Sequence, residues 1–186
     1  METSNNHVCP WWLGYTFILP FRKYQHNPER ILGPHIKQGM TVMDYGSAMG
    51  YFSIPLAQMT GPEGKVYCVD IQEKMLVKLR KRALRYDVSP IITTLLVNKN
   101  YDVKELQNKL DFALLFAVVH EVPDKGGLFN DIFAMLKPGG KVLFAEPKGH
   151  VKPADFEKSL LMAKQAGFII SDEKPMNKGL CAFLVK

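Results

Sequence analysis

The residues of this sequence best suited to chemistry fall in a few places. One is the run Val42-Met43-Asp44-Tyr45-Gly46-Ser47-Ala48-Met49-Gly50-Tyr51-Phe52-Ser53, which joins a strand-like segment to a helix-like one. Its glycines permit a tight turn and let backbone amides approach a ligand at a helix N-terminus, although a plain strand-to-helix turn looks similar. A second is Asp70, about 20 residues beyond that loop. An acid at that distance can accept hydrogen bonds from sugar hydroxyls, or simply cap the helix that follows. A third is a set of proton-transfer candidates, His120, Glu146 and His150. Imidazole and carboxylate take up a proton when held within hydrogen-bond reach of a reacting group. Each has a plainer use as well: His120 bonding a loop carbonyl, Glu146 ordering the neighbouring loop, His150 facing water. Finally, Cys9-Pro10-Trp11-Trp12-Leu13-Gly14-Tyr15 is dense in aromatics. Trp11, Trp12 and Tyr15 read as walls that exclude water from a bound molecule, with packing on a sheet edge as the alternative.

These residues need a scaffold, and the chain has enough residues for one. Its 186 residues, 47% hydrophobic and 23% charged, fit a single globular domain with a sizeable core. Strand-like runs are expected at 41–45, 65–70, 91–97, 111–118, 141–145, 168–171 and 180–185. Helices are expected at 28–32, 50–59, 73–86, 103–109, 125–136 and 153–166. Strands alternating with helices, some apolar throughout, imply an α/β fold: a mostly parallel sheet covered on both faces. Such sheets bind ligands at the carboxyl ends of their strands, near the point where strand order reverses.

Charge and cysteine content narrow the classes. The net charge is +6, and the densest basic run, Lys78, Arg80, Lys81, Arg82 and Arg85, lies in one helix and reads as a solvated face. Three cysteines without paired spacing (Cys9, Cys68 and Cys181) argue against a disulfide framework or a metal site. The apolar stretch 11–21 is interrupted and far shorter than the ~20 residues of a membrane span. Glu2 precedes it without Lys or Arg, unlike an export signal. The expectation is a cytoplasmic chain with no membrane span.

Taken together and in order, the motifs resemble the class I S-adenosylmethionine-dependent methyltransferases. Residues 42–53 resemble their first motif, acid-x-Gly-x-Gly-x-Gly, with Ala48 in place of the middle glycine. Residues 65–76 resemble the second, and 111–124, with His120-Glu121-Val122-Pro123-Asp124, the fourth. Met135-Leu136-Lys137-Pro138-Gly139-Gly140-Lys141-Val142-Leu143 matches the leucine-x-proline-glycine-glycine signature before strand five. The resemblance covers about residues 28–185 and is nearest the small-molecule branch, such as the quinone-ring methyltransferases.

It implies a doubly wound, Rossmann-like, seven-stranded sheet with an antiparallel last strand, and residues 1–27 as a lid on one domain spanning 1–186. It also implies S-adenosylmethionine as cofactor. Asp44, Gly46, Ser47 and Gly50 would hold the methionine part, Asp70 the ribose and Ile71 the adenine. Asn98 falls where the family has an acid for the adenine amino group, and Phe116 where the chain borders the reacting end. The partner would be a small-molecule methyl acceptor. A base-modifying enzyme is disfavoured because Ala117-Val118-Val119-His120 replaces the aromatic, proline-containing tetrapeptide expected for a flipped base. A nicotinamide oxidoreductase fits less well, since Gly50 comes one place early for its fingerprint. A cofactor-binding regulatory module without turnover stays compatible with Ala48. Replacing Ala48 by glycine is expected to keep or improve cofactor binding, with a slight loss of stability.

Overall fold

Residues of alternating side along each strand sort the core into two layers. Val42, Val66, Cys68, Phe112, Leu114, Leu143 and Phe183 point to one face, and Met43, Tyr67, Val69, Ala113, Leu115, Val142 and Phe144 to the other. Both sets are fully or nearly fully buried, as a sheet covered on both faces requires.

The computed structural model describes residues 26–97, 99–147, 149, 151–173 and 179–186. In chain order its elements are α1 (Pro28–Leu32), β1 (Thr41–Tyr45), α2 (Ser53–Thr60), β2 (Lys65–Asp70), α3 (Glu73–Arg85), β3 (Ile92–Leu96) and α4 (Val103–Leu106). They continue as β4 (Leu110–Phe116), a 3-10 turn (Val119–Glu121), α5 (Lys125–Met135), β5 (Leu136–Pro147), α6 (Pro153–Gln165), β6 (Ile169–Ile170) and β7 (Gly179–Val185). The seven strands form one sheet in the order β3-β2-β1-β4-β5-β7-β6. Pairings from β3 through β5 are parallel, and β7 lies antiparallel between β5 and β6. The expected seven-stranded, mostly parallel sheet with an antiparallel last strand is present. Strand order reverses between β1 and β4, so the ligand crevice of this architecture lies beyond Tyr45 and Phe116.

α1, α2 and α3 cover one face through Ile31, Leu32, Ile54, Leu56, Ala57, Leu79 and Ala83. α5 and α6 cover the other through Leu128, Phe129, Ile132, Phe156, Leu160 and Ala163. α1 starts as its sequence implies: Asn27 accepts from Arg30 N at 3.1 Å, and Pro28 needs no partner in the first turn.

Three boundaries depart from expectation by three or more residues, each for a backbone reason. α2 begins at Ser53 rather than residue 50, because the loop contains left-handed residues, Ala48 at φ 46° and Gly50 at φ 81°. α4 stops at Leu106, since Asn108 takes φ 53° and its amide bonds Ala134 O. β5 begins five residues early, at Leu136. The proline-glycine-glycine segment, expected to precede the strand, is an irregularity inside it: Leu136 pairs with Leu110 and Lys141 with Phe112. Gly139 N donates to Lys186 O at 2.9 Å, and Lys186 N to Gly140 O at 3.1 Å.

Candidate cofactor and acceptor site

Backbone hydrogen bonds frame the loop after β1. Gly46 N and Ser47 N both donate to Val69 O at 2.9 Å, and Gly50 N donates to Ser47 O at 2.8 Å. Gly46 stands at φ 78°, and a Cβ there would lie 2.6 Å from Val118 Cγ2. Glycine is thus required both by conformation and by the approach of the loop that follows β4. That second loop carries its own left-handed residue, Ala117 at φ 57°.

Asp70 ties this loop to β2. Its Oδ2 accepts from Ala48 N at 2.9 Å and its Oδ1 from Gln72 N at 2.8 Å. The side chain is 8% exposed. Burial raises its pKa, and hydrogen bonds from the Gln72, Ala48 and Ile71 amides oppose the rise. A carboxylate offers about four acceptor sites in all, so a sugar hydroxyl can be received without releasing the loop. Ile71 beside it is 51% exposed, an apolar surface presented at the strand end.

Asp44 stands near the end of β1, where it helps to fix the loop. It is 3% exposed, and its Oδ2 accepts from Ser53 Oγ at 2.5 Å, which anchors the start of α2. Phe116 likewise turns inward, packing on Phe52 at 4.6 Å and on His26 at 5.1 Å between ring centroids. Any border it forms with a ligand is therefore made by its backbone end. Ser47 is 4% exposed, and its Oγ is buried without a hydrogen-bond partner among the described residues. An unsatisfied buried hydroxyl costs about 1–3 kcal/mol. A polar ligand seated on this loop would satisfy it. The loop, Asp70, Ser47 and the open Ile71 fit an adenosyl-amino acid.

On the other side of the crevice His120 and Glu146 meet. His120 Nδ1 lies 2.8 Å from Glu146 Oε2, and His120 N donates to Glu146 Oε1 at 3.1 Å. Glu146 is 1% exposed while the His120 side chain is 26% exposed, with Nε2 3.9 Å from Glu121 Oε1. The hydrogen bond that His120 Nδ1 donates to Glu146 raises the His120 pKa against the opposing effect of burial. Among the described residues a cleft of about 550 Å³ opens beside His120, bounded by Val122, Pro123, Lys125 and Met162. No group of three or more His, Cys, Asp or Glu among the described residues is arranged to hold a metal. No described helix is long and apolar enough to cross a membrane. Asn98, His150, Trp11, Trp12 and Tyr15 lie outside the described residues.

Two contributors were not singled out from the sequence. Val118 packs on Gly46. Arg82, counted there as part of a solvated face, turns inward: its Nη1 donates to Met49 O, inside the loop, and its guanidinium lies 5.9 Å from the Tyr86 ring centroid. Its position seven residues after buried Met75 and three after buried Leu79 was the available signal.

Comparison with known proteins gives the family and the fold. The methyltransferase domain family matches residues 36–182. An arsenite methyltransferase of Halobacterium salinarum is 30% identical over 108 residues, 58% of this chain and 27% of that protein. A demethylmenaquinone methyltransferase of Oceanobacillus iheyensis is 26% identical over 132 residues, 69% of this chain and 54% of that protein. The chain thus spans about half or less of these relatives. A SAM-dependent methyltransferase structure from Aquifex aeolicus superposes with a TM-score of 0.81 at 21% identity, covering 96% of this chain and 98% of that one. With its motifs, strand order and matched span in agreement, the chain belongs to the methyltransferase domain family, as a class I S-adenosylmethionine-dependent member.

Proposed function

We propose that this protein transfers the methyl group of S-adenosylmethionine to a small-molecule acceptor that gives up a proton. The observation that carries this reading is the meeting, at the switch point of the sheet, of the Asp70-braced loop with the loop bearing His120. When bound, the cofactor supplies a methyl already activated on a sulfonium, so the chain chiefly has to align the acceptor with it. Gly46, Ser47 and Gly50 hold the amino-acid end, Asp70 the ribose, and Ile71 and Asn98 the adenine. Asp44 acts indirectly, by fixing Ser53 and the start of α2.

His120 accepts the acceptor's proton at Nε2, while Glu146 holds Nδ1–H and stabilises the imidazolium. His150 follows the same strand and is assigned the acceptor side with them. The segment 1–27 is assigned as a lid that brings Trp11, Trp12 and Tyr15 over the acceptor. Its support is the entry of the chain at the site: His26 O accepts from Tyr51 Oη at 2.7 Å, and its ring meets Phe116. Acceptors such as quinones or arsenite, named for the relatives, are the first to assay.

Titration calorimetry tests the cofactor. One site for S-adenosylmethionine or its demethylated product is expected, and binding of NAD alone would overturn the assignment. Turnover of labelled cofactor with a hydroxyl-bearing acceptor, lost in His120→Ala, tests the proton step. Full activity of that variant would refute it.

A further inference from the structure

Helix α3 concentrates the charge of the whole chain. It holds Lys74, Lys78, Arg80, Lys81, Arg82 and Arg85 against one acid, Glu73, a net of +5 over 13 residues. The complete sequence carries +6, so the remainder is close to neutral. Met75, Leu76, Leu79 and Ala83 form the buried side of the helix. At about 100° per residue, Lys74, Lys78, Lys81 and Arg85 fall together on the opposite side, spaced four, three and four residues apart. This stripe is about 16 Å long. Lys74, Arg80, Lys81 and Arg85 are exposed.

Bulky apolar groups stand beside the stripe instead of beneath it. Leu84 is 65% exposed, and Tyr86, at the helix end, 47%. Cations three or four residues apart repel one another, so the stripe weakens the helix that carries it. Its packing onto the sheet draws on the other side. A nucleic-acid backbone would use the cations and leave Leu84 in water. A lipid headgroup layer matches both kinds of group, phosphates for the lysines and arginines and the acyl boundary for Leu84 and Tyr86.

We infer that the outward side of α3 docks this protein on an anionic lipid surface. The inference is independent of which acceptor is methylated. The test is co-sedimentation of the full chain with vesicles of equal parts phosphatidylglycerol and phosphatidylcholine, and with pure phosphatidylcholine vesicles. Binding to the mixed vesicles, weak binding to the pure ones, and loss at high salt are expected. Each cation near an anionic leaflet multiplies partitioning about fivefold, so the double variant Lys81→Glu, Arg85→Glu should bind about thirtyfold more weakly or worse. Leu84→Ser should weaken it several-fold, and all variants should keep the parent's circular dichroism and cofactor affinity. Equal partitioning onto neutral vesicles, undiminished binding by the charge-reversed variant, or tighter binding to a DNA duplex than to the mixed vesicles would each overturn the inference.

Discussion

Ala48→Gly should stabilise this protein, against the general rule that glycine weakens a fold. Ala48 sits at φ 46° in the loop after β1. A left-handed conformation costs an L-residue roughly 1–2 kcal/mol. Glycine relieves that strain, but its greater unfolded-state freedom returns roughly 0.5–1 kcal/mol of the gain. The net expectation is a gain of about 0.5–1 kcal/mol, or a Tm higher by about 1–4 °C for a domain of this size. The hydrogen bond from residue 48 to Asp70 is made by the backbone amide and survives the change. This reverses the slight loss expected from sequence, which presumed an ordinary backbone at residue 48. Equilibrium urea denaturation monitored by circular dichroism measures the effect. Ala117→Gly, at φ 57°, provides an independent repeat of the same reasoning. Ala154→Gly, exposed in the first turn of α6, should move stability the other way. If Ala48→Gly lowers the urea midpoint, the left-handed strain assigned to this loop is wrong.

Further outcomes follow from the same geometry. Gly46→Val should abolish cofactor binding and also destabilise the protein, because its Cβ would meet Val118 at 2.6 Å. Gly46→Ala should bind better when combined with Val118→Gly than alone, since only glycine removes both Val118 atoms within 3.0 Å, and equal affinities would show that the contact is irrelevant. Asp70→Ala removes the acceptor of two amides at about 1–3 kcal/mol each, so melting temperature and calorimetric affinity should fall together. An unchanged melting temperature would refute the brace.

The His120 pair predicts opposite effects of pH on activity and stability. Glu146 raises the His120 pKa above its unfolded value of about 6.5. The stabilisation is therefore complete below that value and disappears as pH rises through the folded pKa. A base must be neutral, so the acid limb of kcat/KM should lie above the ordinary histidine value and move down in Glu146→Gln. A limb unmoved by that substitution would exclude His120 as the group it reports.

Much of the scaffold was legible because it depends on local pattern. Alternating apolar residues, the Asn27-Pro28 start and the recurrent turns place strands and helices by short-range chemistry, and the motifs mark the loop proposed to hold the cofactor. The parts missed depend on backbone angles and on partners distant in sequence. Asn108 ends α4 through bonds made to the end of α5, and Leu136 joins β5 because Leu110 is there to pair with it. The same holds at the site. His120, Glu146 and Asp70 were recognisable as types at strand ends, but that His120 bonds Glu146, 26 residues away, follows from adjacent parallel strands ending level with each other. Asp44 was recognisable as an acid at a strand end, but its bond to Ser53 at the start of α2 is set by the fold. Sequence alone determined the class of fold, the glycine-bearing loop after β1 and the candidate groups, since these reside in composition and spacing. Which carboxylate braces the loop, which arginine turns inward and which histidine gains a buried partner were decided by tertiary structure, because each depends on the proximity of segments the chain does not place side by side.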